Sequence, residues 1–284
     1  MPLLAQRLPA PIENATGVRM LVVRENSQPT LRIVLPGRPD SARSIEVIFP
    51  EHVTARRHGT PNAEHLYQFR SGREGDRPTW RRTGSALEYE RHLAGAIRFV
   101  ARATLEGDGV RFHYEFHNGS QVAYDMIYAV TDPRLTGIFH DVRLERTYVR
   151  RGGGFDLLAA EAPSRLTMPL QQWLPSRYLA SFTWPVPAER VEHRQDGITY
   201  YNASAPVDEP FIATLSNDRE WVVASFARDA GNVWSNPELT CQHVDPETSL
   251  LPGGSAALEV KVLIVRGSLD DALQRAVEQR SLLR

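Results

Sequence analysis

The sequence predicts an all-β fold, two antiparallel layers with one helix at the C-terminal end. Three observations predict it. About fifteen short runs rich in β-branched and aromatic residues are punctuated by Gly, Pro, Asn and Asp, the spacing expected of an antiparallel sandwich. Within several runs the polarity alternates. Phe112, Tyr114 and Phe116 interleave with His113, Glu115 and His117, so one face is apolar and the other polar. A helical period with its own start signal occurs only after residue 267.

Taken in order, 18–24 and 30–35 read as a first strand pair around the polar turn Glu25-Asn26-Ser27-Gln28-Pro29. A third strand, 43–49, is closed by Pro50. Residues 51–77 carry His52, His58 and His65 among Gly59, Pro61 and Gly72, and read as loop-rich with a short strand at 65–69. From Thr79 the pattern is regular: strands at 79–82, 86–92, 97–105 and 110–117, with Gly84, Gly95 and the turn Gly107-Asp108-Gly109 between them. Asp-Gly between β-rich runs is a strong hairpin signal. Asn118-Gly119-Ser120 leads into 122–130, and 144–150 ends at Gly152-Gly153-Gly154. Residues 154–189 are rich in proline and read as an irregular excursion with one helical turn near 169–173. Strands resume at 190–193, 198–202, 211–216, 221–227 and 258–265. Ser268 caps a helix over 269–282, with Asp271 at the capping-box position and Leu269, Leu273, Ala276 and Val277 as its apolar stripe. No repeat and no long linker divides the chain, so one domain over 1–284 is expected.

The 284 residues are 42% hydrophobic and 24% charged, enough for a sizeable core. The formal net charge is −1, which gives no global attraction to nucleic acid or anionic membrane. Lys261 is the only lysine. A single cysteine allows no internal disulfide. No apolar run approaches the roughly 18 residues a membrane span needs. The N-terminal run MPLLAQRLPAPIENA is too short in apolar residues for a signal peptide, and a cytoplasmic protein is expected. There is no GxSxG elbow, phosphate-binding glycine loop, GxGxxG unit, HExxH or CxxC.

Two stretches resemble the galactose-mutarotase-like β-supersandwich superfamily. One is 108–120, DGVRFHYEFHNGS, similar to a turn, strand and Asn-x-Ser pattern in mid-chain. The other is 242–265, QHVDPETSLLPGGSAALEVKVLIV, similar to a late Gln-containing turn that leads through Leu-x-Pro-Gly into the last long strand. A nearer likeness is to a bacterial branch with segments in the style of 132–149, DPRLTGIFHDVRLERTYV, and 235–246, SNPELTCQHVDP, and it implies no activity. The superfamily resemblance implies a supersandwich whose concave sheet face binds sugars. The mutarotase catalytic residues do not carry over. The stretch matching their mid-chain histidine, 124–135, has none, and Thr240 and Cys241 stand where their glutamate is expected.

The long connection 231–254 holds the first candidate cluster, Cys241-x-His243-x-Asp245, whose three side chains share one face if the segment is extended. His243 would transfer protons with Asp245 orienting it. The same residue types would also hold a metal, or the segment is a turn with a buried thiol. Trp234 and Asn236 in the same connection are expected to contact substrate. His140 and Asp141 form a second acid/base pair, with Arg143 positioned to clamp a carboxylate or hydroxyl pair. His65 and Tyr67, and Trp173 and Arg177, are aromatic and planar polar groups suited to pyranose faces; Trp173 is alternatively the apolar anchor of its loop. His113, Glu115 and His117 have a spacing that would hold a divalent ion or else form a solvated outer face.

The expectation is a carbohydrate-active protein that binds a sugar or sugar acid, as a small molecule or oligosaccharide, and performs acid/base catalysis of the epimerase or lyase type. The alternatives are a non-catalytic carbohydrate-binding protein and a metal-dependent β-sandwich enzyme. No cofactor or metal is assigned, no nucleic acid or membrane partner is expected, and the oligomeric state is left open.

Overall fold

The structure, a computed structural model, describes residues 8–24, 28–37, 44–68 and 77–284. The expected turn at Glu25-Asn26-Ser27, the strand start at Arg43, and Phe69 and Gly72 lie outside the described residues.

The first strands are β1 (Ile12–Glu13), β2 (Arg19–Val22), β3 (Thr30–Val34), β4 (Ser44–Ile48), β5 (His52–Arg57), β6 (Glu64–Gln68) and β7 (Arg81–Thr83). Then come β8 (Ala86–Leu93), β9 (Ile97–Glu106), β10 (Gly109–Asn118), β11 (Tyr124–Ala129), β12 (Asp132–Leu135), β13 (Thr147–Arg151) and β14 (Gly154–Leu157). A single helical turn, α1 (Leu170–Trp173), precedes β15 (Ser176–Ser181), β16 (Val191–His193), β17 (Thr199–Asn202), β18 (Phe211–Leu215) and β19 (Trp221–Ala227). The chain ends with β20 (Asn232–Ser235), β21 (His243–Val244), β22 (Thr248–Leu250), β23 (Ser255–Arg266) and the helix α2 (Leu269–Arg280).

The strands make one nine-stranded sheet, in the order β14-β13-β18-β19-β23-β10-β9-β8-β7, and three smaller ones. These are β1-β2-β3-β4-β12, β22-β11-β5-β6 and β16-β17-β15-β20-β21. Among the described residues, pairing is antiparallel except between β15 and β17. The all-β expectation with one long C-terminal helix holds.

The large sheet follows from local pattern. The alternation in β10 sends Phe112, Tyr114 and Phe116 inward, where each is fully buried. In the register Phe112 lies opposite Ala103 on one side and Val260 on the other. Phe112 meets Phe49 edge-on with ring centroids 5.1 Å apart. Leu31, Ile33, Ile45 and Val47 of the first small sheet complete this core. Burying one such aromatic contributes about 2–3 kcal/mol. Gly109 is required where β9 turns into β10: its φ is +154°, and a Cβ there would lie 2.1 Å from the Val262 carbonyl oxygen.

The outer face of the large sheet carries α2. Ser268 and Asp271 form the expected capping box, and Ala272 and Ala276 are buried against β18, β19 and β23. Val277, expected in the apolar stripe, is instead exposed. His113, Glu115 and His117 lie on this outer face as well. His113 Nδ1 is 3.1 Å from Glu259 Oε1 and His117 Nδ1 is 2.6 Å from Ser255 Oγ, so the two histidines pair with β23 instead of with each other.

Two parts of the chain are more regular than expected. The loop-rich stretch after Pro50 contains β5, and the proline-rich excursion contains β14 and β15 around the expected helical turn. Trp173, in that turn, is fully buried and donates its indole N–H to the Val142 carbonyl at 2.7 Å. It is a core anchor, packed on Tyr178 and Tyr201.

Candidate functional site

The connection 231–254 also folds as strands. β20 and β21 pair through it, with Trp234 opposite His243. Its middle is laid along the free edge of β12. Arg134 bridges Cys241 in an antiparallel arrangement, Gln242 N–H donates to the Pro133 carbonyl at 3.1 Å, and the Thr240 hydroxyl donates to the Leu135 carbonyl at 2.7 Å. That register sets Asp132 across from His243. Gln242 points the other way and is held by Ser225, Thr214 and the Val223 carbonyl. Alternation then puts Cys241 and His243 on the side that carries Asp132 and Arg134.

The cluster is close and dry at its centre. His243 is 1% exposed and Asp132 1%, and Cys241 is fully buried. His243 Nε2 lies 3.3 Å from Asp132 Oδ1, and its Nδ1 lies 3.9 Å from Asp245 Oδ2. The Trp234 indole stacks on the imidazole, with centroids 3.7 Å apart and planes 9° from parallel. It also donates its N–H to Asp245 Oδ2 at 3.1 Å. Arg134 Nε donates to the other Asp132 oxygen at 2.6 Å, and its Nη2 donates to Glu51 Oε1 at 3.3 Å. Glu51 leads in turn to His52, whose Nδ1 is 3.9 Å from Glu51 Oε2. The His52 ring faces His65 with centroids 4.6 Å apart and Tyr128 at 6.1 Å. His65 is exposed, and its Nδ1 shares a hydrogen bond with the Thr54 hydroxyl at 2.8 Å.

These contacts order the charges. Burial, and then the neighbouring His65, lower the His52 pKa to about 4, so this imidazole is neutral at pH 7. Burial, followed by the charge of Asp132, raises the Glu51 carboxyl above its ordinary value. Burial opposes ionisation of Asp132, yet His243 and Arg134 outweigh it and hold the carboxyl low. Burial likewise opposes charging of His243, but Cys241, Asp132 and Asp245 together raise it well above the usual imidazole value. A neutral imidazole beside a carboxyl pushed upward is a pair suited to giving and taking a proton, and Arg134 is a half-buried cation next to it.

Of the residues singled out in the sequence, His243, Asp245 and Trp234 are brought together here, and His65 stands at the exposed edge. Asn236 is buried close by in sequence; its Oδ1 accepts the Leu239 N–H at 2.7 Å and so holds the turn that feeds Thr240. Tyr67 packs against the main core, with the Arg91 guanidinium 5.9 Å over its ring. The other candidates serve their own segments. His140 is exposed, while Asp141 is buried and accepts the N–H groups of Glu145 and Arg146 and the Thr147 hydroxyl. Arg143 donates to the carbonyls of Arg165 and Met168, and Arg177 to that of Ser176. Trp173 belongs to the core.

Sequence reasoning missed Glu51, His52, Tyr128, Asp132 and Arg134. A signal existed for His52, because the alternation in HVTARR right after Pro50 is that of a strand. Asp132 carried none beyond its place in the 132–149 segment.

A surface depression of about 680 Å³ lies elsewhere, at the start of α2. Arg219, Glu220, Arg266 and Asp270 line it together with Phe155 and Leu215, and Arg266 pairs with Glu220 at 3.4 Å. It holds no histidine and none of the groups with displaced pKa values, so the cluster around His243 is the stronger candidate.

No protein-family model matches the sequence, and no curated protein sequence matches it either. Solved structures do match in fold. The Slr1438 protein from Synechocystis sp. PCC 6803 aligns with a TM-score of 0.53 at 11% identity, over 94% of this chain and 99% of that one. The GalM/aldose epimerase homologue from C. elegans aligns with a TM-score of 0.51 at 9% identity, over 90% and 98%. The α-N-acetylgalactosaminidase NagBb from Bifidobacterium bifidum, in a GalNAc complex, aligns with a TM-score of 0.50 at 9% identity, over 95% of this chain and 38% of that one. The chain therefore shares its fold with these proteins, a β-supersandwich of the galactose-mutarotase-like type. No helix among the described residues is long and apolar enough to cross a membrane.

Proposed function

We propose that the protein acts on a small sugar or sugar acid by acid/base proton transfer, as an isomerase or lyase, at the surface around Glu51 and His52. One observation carries this reading. Glu51, His52, Asp132, Arg134, His243 and Asp245 come from separate segments and meet in one connected ionic chain, bordered by Trp234, Tyr128 and the exposed His65. A fold does not assign a reaction, but such convergence is what an acid/base site requires.

In this reading His52 is the base, since it is neutral and only partly buried. Glu51 is its acid partner. Arg134 neutralises charge that develops on a carboxylate or enolate oxygen. Trp234 offers an indole edge and face to the apolar side of a pyranose ring. His243, expected from sequence to transfer the proton itself, lies beneath Trp234 and fixes the position of Asp132 and Asp245 instead.

The test is a thermal-shift screen of aldoses, ketoses and uronic acids, followed by proton-exchange NMR on any ligand that binds. His52→Gln is expected to lower turnover at least about a hundredfold while binding stays within a few-fold. Trp234→Ala should weaken binding about tenfold. Unchanged turnover in His52→Gln removes the catalytic assignment. Binding without turnover in the wild type favours a carbohydrate-binding protein, and no binding to any sugar class rejects both.

A further inference from the structure

The centre of the cluster carries a second reading that the proton-transfer scheme does not use. One ligand atom each from Asp132, Cys241 and His243 lie within 4.8 Å of one another, and all three side chains are buried. We propose that these three residues form a binding site for one divalent transition-metal ion, zinc by the chemistry of its donors.

The geometry is that of ligands to a common ion. The separation of His243 Nε2 and Asp132 Oδ1, 3.3 Å, is the edge of a tetrahedron whose metal–ligand bonds are about 2.0 Å long. At that distance a hydrogen bond would be unremarkable, yet Asp132 Oδ1 has no hydrogen-bond partner of acceptable geometry. It is a carboxylate oxygen on a residue 1% exposed, aimed at the imidazole. A buried carboxylate oxygen that has a charge 3.3 Å away but no hydrogen bond has room for a closer cation.

The surroundings are built as the outer shell of a metal site is built. The second Asp132 oxygen is taken by Arg134 Nε at 2.6 Å, which leaves Oδ1 as a single donor. His243 presents Nε2 inward, and its Nδ1 lies 3.9 Å from Asp245 Oδ2, on the side where a carboxylate would orient a ligand imidazole. Trp234 holds the ring plane by stacking. Thiolate, imidazole and carboxylate together select zinc or cobalt over magnesium or calcium, and three protein donors leave a fourth coordination position unassigned. The site differs from the one expected from sequence, because Asp132 takes the donor place given to Asp245.

The inference does not rest on the sugar reading, and its readout is metal content and spectrum. Full-length protein produced in zinc-supplemented medium should retain close to one zinc per chain. The apo protein titrated with cobalt(II) should develop a thiolate-to-cobalt charge-transfer band in the near ultraviolet together with intense tetrahedral d–d bands. Cys241→Ser should lose the charge-transfer band, Asp132→Asn should lower the affinity at least about tenfold, and His113→Gln on the outer face should change neither. A wild type that retains none of zinc, iron, manganese, nickel or copper and gives no thiolate band with cobalt overturns the proposal. So does equal binding by the wild type and Cys241→Ser. Should the variants fail to fold, the wild-type cobalt spectrum decides alone.

Discussion

Two buried ionic clusters in this protein are made of similar residues and differ in how completely they are satisfied. On the outer face of the large sheet, Lys261 is fully buried and pairs with Glu106 and with Asp108 at 2.9 Å. Glu106 also takes Arg111 Nη2 at 2.7 Å, and Asp108 takes Gln279 of α2 at 2.6 Å, so that the cation and both carboxylates are paired and only Arg111 Nε, at the rim, is left without a hydrogen bond. In the cluster around His243, buried atoms of Asp132, His243 and Asp245 have no hydrogen-bond partner. A closed network rigidifies and specifies a structure, here by fastening α2 to the sheet. An open one stores interaction capacity, which is what a binding site needs. On the same face His113 and His117, which had the spacing of a metal site, are also taken up by partners on β23, whereas atoms of the cluster around β12 and β21 are left unpaired.

Breaking the closed cluster should have the largest effect on stability. Lys261→Met leaves two partly buried carboxylates without their shared cation, and should cost about 3–5 kcal/mol in urea denaturation. Its pH signature follows from Asp108. Burial opposes ionisation there, but the Lys261 hydrogen bond and charge win and hold the carboxyl below its ordinary value. The resulting stability is present above about pH 4 and is lost as the pH falls through the folded-state value. Lys261→Met should flatten that acid limb; an unchanged limb would show that the cluster is not what anchors Asp108.

The open cluster should respond at milder pH and by a smaller amount. The His52 pKa falls from 6.5 to about 4 on folding, so the unfolded chain binds a proton there that the folded one does not. Stability should therefore drop as the pH falls from about 6.5 to about 4, by at most about 3 kcal/mol. His52→Gln should remove that slope. Denaturation midpoints measured across this window would decide, and an identical slope in the variant would assign the titration to another group. The smallest effect is expected at the start of α2, the helix that the closed cluster fastens to the sheet. Ser268→Ala removes the cap of α2 and should cost about 1 kcal/mol with metal and sugar binding untouched.

The meander β8–β9–β10 and the strand β23 were legible because their information is local. Period-2 alternation and Asp-Gly turns need no knowledge of distant residues, and the capping box of α2 lies within four positions. The strands missed in the sequence, among them β5, β12, β20 and β21, build the site. They are short, interrupted by proline or rich in polar residues, so no period emerges over two to six positions. Legible at the site were His243, Asp245 and Trp234, which share a short stretch of chain. His140 with Asp141 made an equally good pattern, yet Asp141 spends its oxygens on its own loop.

By itself the sequence determined the class of fold, the large sheet and the closing helix, because hydrophobic alternation and turn chemistry act between near neighbours. It also determined that Cys241, His243 and Asp245 would lie near one another. Only the tertiary structure decided which partners they meet. Arg134 bridging Cys241 joins positions 107 residues apart, and that one register brings Asp132 to His243 and, through Arg134, Glu51 and His52 to the same place. Edge-to-edge pairing of short polar strands is fixed by the packing of whole sheets, and no local pattern encodes it.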